Sequence, residues 1–428
     1  MSGSRPINDL FGWILHRLTA NYWSLALGAV VIAPLVFAAT LSLDRDGGTE
    51  WLLERGLSPV SSAETARDAA SVIAGIDTAY LTLYLSISMV VLTIAAGNLG
   101  VRLIDRWLAK RLVRVSIAGL SFTVVHAVLT MSAIDADAAM ADVPLLTFST
   151  AILLLMINTI MLAVAAHDLG RSMFIDKAID AISEDGQCNQ LSLSGSEERF
   201  PDLSFTVVSR RNGYVEGVKL QRIADGLEGC GKVQLEVAPG QHVLRGQTLL
   251  RHERSCDNER DLLHAIPIGP FRSNWQGSVF QIRLLVEIAA RALSPAINDF
   301  YTGLVAVDAL VEVAAAHCEN WVNDGQVPVS AEHPQIALPG QDFRGLFEDP
   351  LAALRLAASR YPAISIRIIN KMKMLVALHC EDKPGLTAFL ARYVAEVHEH
   401  AMKETSIDKD RRSLDEALAE FRTVAEKA

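Results

Sequence analysis

The feature that most constrains this chain is a set of four long uncharged apolar stretches, all within the first 170 of its 428 residues. They run 22–43, 78–101, 115–134 and 143–166, and none contains Asp, Glu, Lys or Arg. A helix rises ~1.5 Å per residue, so about 20 such residues cross the ~30 Å hydrocarbon core of a bilayer. Backbone polar groups at that depth must be satisfied within the segment, which makes helices of these stretches. The sequence therefore predicts a membrane protein: a four-helix transmembrane bundle over 1–170, then a cytoplasmic α+β region with a small β module and a helical elbow.

Flanking charge predicts the orientation. Arg5 and Arg17 precede the first stretch, and the 44–77 connection sets Arg45, Arg55 and Arg67 against seven acids. The 102–114 connection carries Arg102, Arg106, Lys110, Arg111 and Arg114 against Asp105 alone, whereas 135–142 has three Asp and no base. Basic residues near span ends stay on the cytoplasmic side. Both termini are then cytoplasmic, in a multi-pass protein. The first stretch exceeds the ~7–15 residues of a signal-peptide core and is expected to be retained. All five Cys fall after residue 170, an odd and scattered set that reads as reduced buried thiols rather than a disulfide framework. The protein's net charge is −10, and the part after residue 170 is itself acidic, which argues against nucleic acid as a partner. The bilayer is the first expected partner; a homo-oligomer, and a small ligand or protein at the cytoplasmic domain, are the others considered.

Within the bundle the second stretch is the most polar. Thr78, Thr82 and Ser86 recur at i, i+4 and i+8, and Tyr80, Tyr84 and Ser88 form a neighbouring row. Two readings stand: a hydrophilic path, or packing with hydroxyls bonded to their own i−4 carbonyls. His126 and Asn158 are the other strongly polar groups at depth, and Thr82, Ser86, His126 and Asn158 are the candidate intramembrane polar residues. An ionisable group inside a membrane is a functional candidate by default.

The rest divides into a helical lever and linker (171–200), a small β module (201–265), a helix–elbow–helix subdomain (266–322), a Pro/Gly-rich linker (323–346) and a mostly helical region (347–428). The β module carries the hairpin-type dipeptide Asn212-Gly213, and its glycine pattern resembles small barrel-sandwich domains of the lipoyl type. Neither Lys219 nor Lys232 is flanked like a lipoylated lysine, so no cofactor is expected. In the elbow subdomain Ile282, Leu285, Ile288, Ala289 and Ala292 make an apolar face, with Arg283, Glu287 and Arg291 on a second stripe. Pro295 ends the helix, and Asn298 or Asp299 caps the next, 300–315. Arg283, Glu287, Arg291, Ser294, Asn298 and Asp299 are the candidate polar pocket; the competing reading is a salt-bridge ladder and a plain helix break. Ser413 to Glu416 reads as a capping box opening the last helix. No phosphate loop, dinucleotide fingerprint, nucleophile elbow or Cys-x-x-Cys occurs. His252 with Cys256, and His398 with His400, lack a full ligand set, so no metal is expected.

The run Arg291-Ala-Leu-Ser-Pro-Ala-Ile-Asn-Asp299, with Leu285-Val-Glu-Ile-Ala-Ala before it and Tyr301-Thr302-Gly303 after it, resembles a bacterial family of predicted membrane proteins, domain of unknown function 2254. Arg211-Asn-Gly-Tyr-Val-Glu resembles the family's β segment, and Ser86 and Arg102 fit its membrane pattern. The chain departs from it at Phe300, where Pro is usual, at Gly303, where Ala is usual, and within 274–277, where an acid is usual. The resemblance implies a bacterial inner-membrane protein and no activity. The leading expectation is thus a membrane-anchored binding or regulatory module; the alternative is an oligomeric channel or transporter subunit; an enzyme comes last, with no catalytic residue assigned.

Overall fold

The computed structural model describes residues 22–99, 110–171, 175–188, 190–197, 200, 203–226, 231–255, 259–270 and 278–427. The chain separates into two compact units, 1–174 and 175–428.

The first unit contains α1 (Tyr22–Leu43), α2 (Ala63–Leu99), α3 (Arg111–Ala133) and α4 (Leu145–Arg171). All four hold stretches long and apolar enough to cross a membrane. α2 is longer than the predicted second span: it starts 15 residues before Thr78, and Ala66, Ala70 and Ile73 continue the inward face of the same helix. Helical periodicity runs through Asp77 rather than stopping at it.

Layers of side chains fix the register. Ala63 and Ala66 of α2 meet Ile134, Val143 and Leu145 at one end. Ala70 and Ile73 meet Ala127, Phe148 and Ala151 next. At the other end Tyr84, Val91 and Leu92 meet Val113, Ile117, Ala165 and Leu169. α3 therefore runs antiparallel to both α2 and α4. Outward faces are apolar: Leu35 is 67 % exposed and Met89 68 %. At the chain turn after α1, Asp44 caps the start of α4. Its carboxylate accepts from Leu146 N (2.8 Å), Thr147 N (2.9 Å) and Thr147 Oγ1 (2.7 Å), while Thr49 Oγ1 accepts from Leu145 N (3.2 Å). An acid there satisfies orphan amides and faces the positive end of the helix dipole.

The second unit opens with α5 (Ile175–Cys188) and β1 (Leu193–Ser196). β2 (Phe205–Val208), β3 (Gly213–Val215), α6 (Leu220–Gly226), β4 (Val233–Leu235), β5 (His242–Val243), β6 (Thr248–His252), α7 (Glu259–Ala265) and β7 (Ile268–Gly269) follow. Next come α8 (Ser278–Ala292), α9 (Phe300–Ala316), β8 (Val327–Ser330) and β9 (Ile336–Ala337). The chain ends with α10 (Phe343–Ala358), α11 (Pro362–His379), α12 (Pro384–Glu404) and α13 (Asp408–Ala425). One sheet has the order β1-β8-β9-β4-β6-β2 and a second the order β5-β3-β7. All pairings are antiparallel except β4 with β9. Both sheets share a core of Val207, Val215, Val233, Val243, Leu250 and Ile268 with Ile223 and Leu262 from α6 and α7.

Several expectations change here. The 323–346 stretch is no linker, since β8 and β9 join the large sheet; nor is 171–200 only a lever and linker. α5 is a core helix of this unit: Ile179 and Ile182 are fully buried, Ser183 Oγ bonds Ala309 O (3.3 Å), and Ser278 Oγ donates to Gly186 O (3.0 Å). Asn212-Gly213 makes no hairpin, because β2 and β3 lie in different sheets. Glycine is needed at 213 because a Cβ there would stand 2.5 Å from Gly269 O. The last helix begins at Asp408, not Ser413, with Asp408 and Asp410 in its first turn complementing the dipole.

Candidate functional site

Between the two apolar ends of the bundle lies a polar layer. Asp77 of α2 has no solvent exposure. Its Oδ2 accepts from Asn158 Nδ2 of α4 at 3.3 Å. The same amide nitrogen lies 2.9 Å from Thr123 Oγ1 and 3.4 Å from Gly119 O on α3. Glycine at 119 makes room, because a Cβ there would be 3.0 Å from Asn158 Oδ1 and 2.8 Å from Met161 Cε. One turn beyond Thr123, His126 is also fully buried. Its ring stacks on Phe122 and meets Phe37 edge-on, both at 6.1 Å between centroids. Its Nδ1 lies 3.5 Å from Thr130 Oγ1. Asp77 Oδ1, Ser88 Oγ, Ser116 Oγ and His126 Nε2 are buried in this unit without a hydrogen-bond partner among the described residues. Most buried polar groups are bonded, so such a cluster calls for an explanation. No Lys or Arg pairs with Asp77 among the described residues.

The four predicted intramembrane residues divide cleanly. His126 and Asn158 are in the interior, Asn158 bonded to Asp77 and His126 one turn beyond Thr123. Thr82 and Ser86 lie on the exposed face of α2, and Thr82 Oγ1 simply donates to Thr78 O at 2.9 Å, the back-bonded packing arrangement. The inward polar row is instead Asp77, Tyr84 and Ser88, at i, i+7 and i+11.

The elbow residues in the second unit resolve mainly into local structure. Asp299 caps α9, accepting from Thr302 N (3.1 Å) and Thr302 Oγ1 (2.6 Å). Ser294 Oγ donates to Arg291 O at 2.7 Å. Arg291 and Glu287 approach to 3.9 Å along α8, a long, half-buried pair. Arg283 reaches Gly240 O at 3.3 Å. Asn298 is exposed, sits in the left-handed region at φ 51°, and accepts from Tyr361 Oη at 2.9 Å. The six are held along α8, at the turn and at the α9 cap, with the apolar face of α8 buried beneath them; Leu293 fills the space a Cβ at Gly303 would take, 2.7 Å away. Of the metal-type pairs, His252 Nδ1 meets Arg254 O (2.7 Å), His398 Nε2 meets Asp415 Oδ1 (2.8 Å), and Cys256 lies outside the described residues. No group of three potential metal ligands occurs among the described residues.

A family profile described as a predicted membrane protein, DUF2254, matches residues 19–374. The chain belongs to this DUF2254 family. Among curated proteins, uncharacterised proteins of Mycobacterium tuberculosis (strain H37Rv) and Mycobacterium bovis are 30 % identical to it over 169 residues. Those matches cover 40 % of this chain and 32 % of each relative. The chain thus spans about a third of the length of these relatives. No solved structure matches. The DUF2254 match includes both the Asp77 layer and the elbow. Asp77 is the residue that charge-free windows overlook, since the 78–101 stretch begins one residue after it. The recoverable signal is the Ala66, Ala70, Ile73, Asp77 spacing, which carries one helix face straight through the carboxylate.

Proposed function

We propose that this DUF2254 protein is a four-pass inner-membrane protein, with both termini cytoplasmic, that translocates a small monovalent cation through its helical unit. The second unit is then the cytoplasmic regulatory module. The Asp77 carboxyl carries the reading: it is fully buried between α2, α3 and α4, with one oxygen unpartnered. Neutrality in so apolar a site requires a proton or a cation at that carboxyl, and a resting structural role is better filled by a neutral side chain. The buried carboxyl favours this over ligand sensing at the elbow, where Ser294, Asn298 and Asp299 are engaged in cap and turn bonds. Assembly as a homo-oligomer accompanies it, because one four-helix unit encloses little space of its own and its apolar exterior suits a second copy.

The test is the full chain reconstituted in liposomes under an imposed potential, with proton, sodium and potassium flux followed separately. Asp77→Asn, which keeps the shape of the side chain, should abolish the flux while the melting profile in detergent stays intact. Flux that persists in Asp77→Asn, or a correctly folded wild type that passes none of the three ions, overturns the proposal.

A further inference from the structure

The polar layer does not stand alone. α3 carries Ser116, Thr123, His126 and Thr130, each with no solvent exposure. They span 14 residues, ~21 Å along the axis, about two thirds of the hydrocarbon thickness. α2 answers with Tyr84 and Ser88 on the face of Asp77. The antiparallel register places Ser88 and Ser116 toward one end, in the region where Tyr84 and Val91 meet Val113 and Ile117. Asp77, Thr123 and Asn158 come in the middle. His126 and Thr130 lie toward the other end, flanking Ala127 in the layer with Ile73 and Phe148. The unpartnered atoms follow the same line: Ser88 Oγ and Ser116 Oγ on one side of the carboxyl, His126 Nε2 on the other. Buried polar atoms that lack protein partners are characteristically bonded by internal water.

We propose that the cation held at Asp77 is the proton, and that Ser88, Ser116 and His126, with water between them, form the path along which it reaches and leaves the carboxyl. The movement of the proton rests on the translocation reading; its residence at Asp77 does not. Ligand count separates the proton from a metal ion. A hard metal cation needs a shell of oxygens, commonly six or more. Here the Asn158 amide turns its NH2 toward both Asp77 and Thr123, and Thr123 Oγ1 is bonded to Gly119 O at 3.1 Å. One carboxyl oxygen is left free, which is what a proton needs. Hydroxyls and imidazole both accept and donate, so each passes on a proton as it receives one and no net bond is made. The ionisable group one turn from Thr123 on α3 is His126; α4 presents the neutral Asn158, and α1 contains no charged residue. Arg114 lies nine residues before Thr123 on α3, ~14 Å along the axis. Lys110 and Asp168 pair with each other at that end, at 2.9 Å.

The experiment treats the full chain in lipid nanodiscs with dicyclohexylcarbodiimide, an apolar reagent that adds to protonated carboxyls, and maps the adduct by mass spectrometry against Asp77→Asn. Labelling at Asp77 should fall about tenfold per pH unit above the midpoint of its titration, and excess sodium, potassium or lithium should leave it unchanged. Protection by any of these ions at constant pH overturns the proton assignment while leaving cation translocation standing. Absence of labelling at Asp77 at every pH overturns the assignment as well. In liposomes, His126→Phe and Ser116→Ala should each lower proton flux about tenfold or more with Asp77 labelling and the melting profile retained; undiminished flux in both overturns the path. If the wild type labels as expected yet moves no ion, the translocation reading fails and the protonated site remains.

Discussion

Asn158→Leu tests whether the polar layer is one interacting unit. The substitution removes the amide that reaches Asp77 Oδ2, Thr123 Oγ1 and Gly119 O. Hydrogen bonds between membrane helices average about 0.6 kcal/mol each, up to about 1.7. The two shorter contacts therefore account for about 1–3 kcal/mol. Asp77 would then have both oxygens unpartnered, and a buried acceptor stripped of its partner costs about 1–3 kcal/mol more. The sum, about 2–6 kcal/mol, lies at or above the upper end of the usual cost of a single substitution. Leucine also brings a branched tip against Gly119, where space is already tight. The informative assay is a double-mutant cycle with Asp77→Ala, read as thermal unfolding of the purified full chain in one detergent. Once the carboxyl is gone, Asn158→Leu should cost about 1–2 kcal/mol less than in the wild type, the coupling expected of groups in direct contact. Strict additivity of the two substitutions would refute the reasoning, because it would mean that the carboxyl and the amide do not share a network.

Asp44→Ala should destabilise the membrane unit by about 1–2 kcal/mol through loss of the α4 cap, with Asp44→Asn in between, measured as a shift in Tm. Asp299→Ala should cost about 1 kcal/mol as a lost cap of α9, and the wild-type response to any soluble ligand should survive it. Burial holds the His317 imidazole below its ordinary pKa, although its Nδ1 bonds Val313 O at 2.8 Å. The unfolded chain then binds a proton that the folded unit refuses, so stability is complete above about pH 6.5 and declines as pH falls below it. His317→Leu should flatten that acid limb in a pH series of melting curves. Gly303→Ala forces Leu293 aside and should cost about 1 kcal/mol or more, with Leu293→Ala in the same chain recovering part of it.

Much of this architecture is written in local patterns. The helices over 22–43 and 111–133 contain the apolar stretches 22–43 and 115–134 read from length alone, and the break at Leu293-Ser294-Pro295 with Asp299 as cap follows from the chemistry of proline and of short acids. What resisted reading was long-range. β8 and β9 sit in a Pro- and Gly-rich stretch because their partners, β1 and β4, are remote in sequence, and no local period announces such pairing. The Asn212-Gly213 dipeptide is at home in a tight hairpin, yet here it serves a close approach of β3 to β7. Asp77 was hidden for a different reason. A search for charge-free windows treats a carboxylate as a boundary, whereas in a bundle it can be the buried centre, and only phase along the helix reveals which. For the elbow, side-chain types were legible but their duties were not: caps and ligand sites use the same residues.

The cap at Asp44 has a consequence for the order in which the protein is made. Its carboxylate and the Thr147 hydroxyl that completes the cap are separated by 103 positions in the chain. The first helix therefore leaves the biosynthetic machinery with an acid whose partners have not yet been synthesised, and the clasp closes only when the fourth helix arrives. A nascent chain halted after the third helix would remain unlatched at that end, open to proteases that the finished bundle excludes.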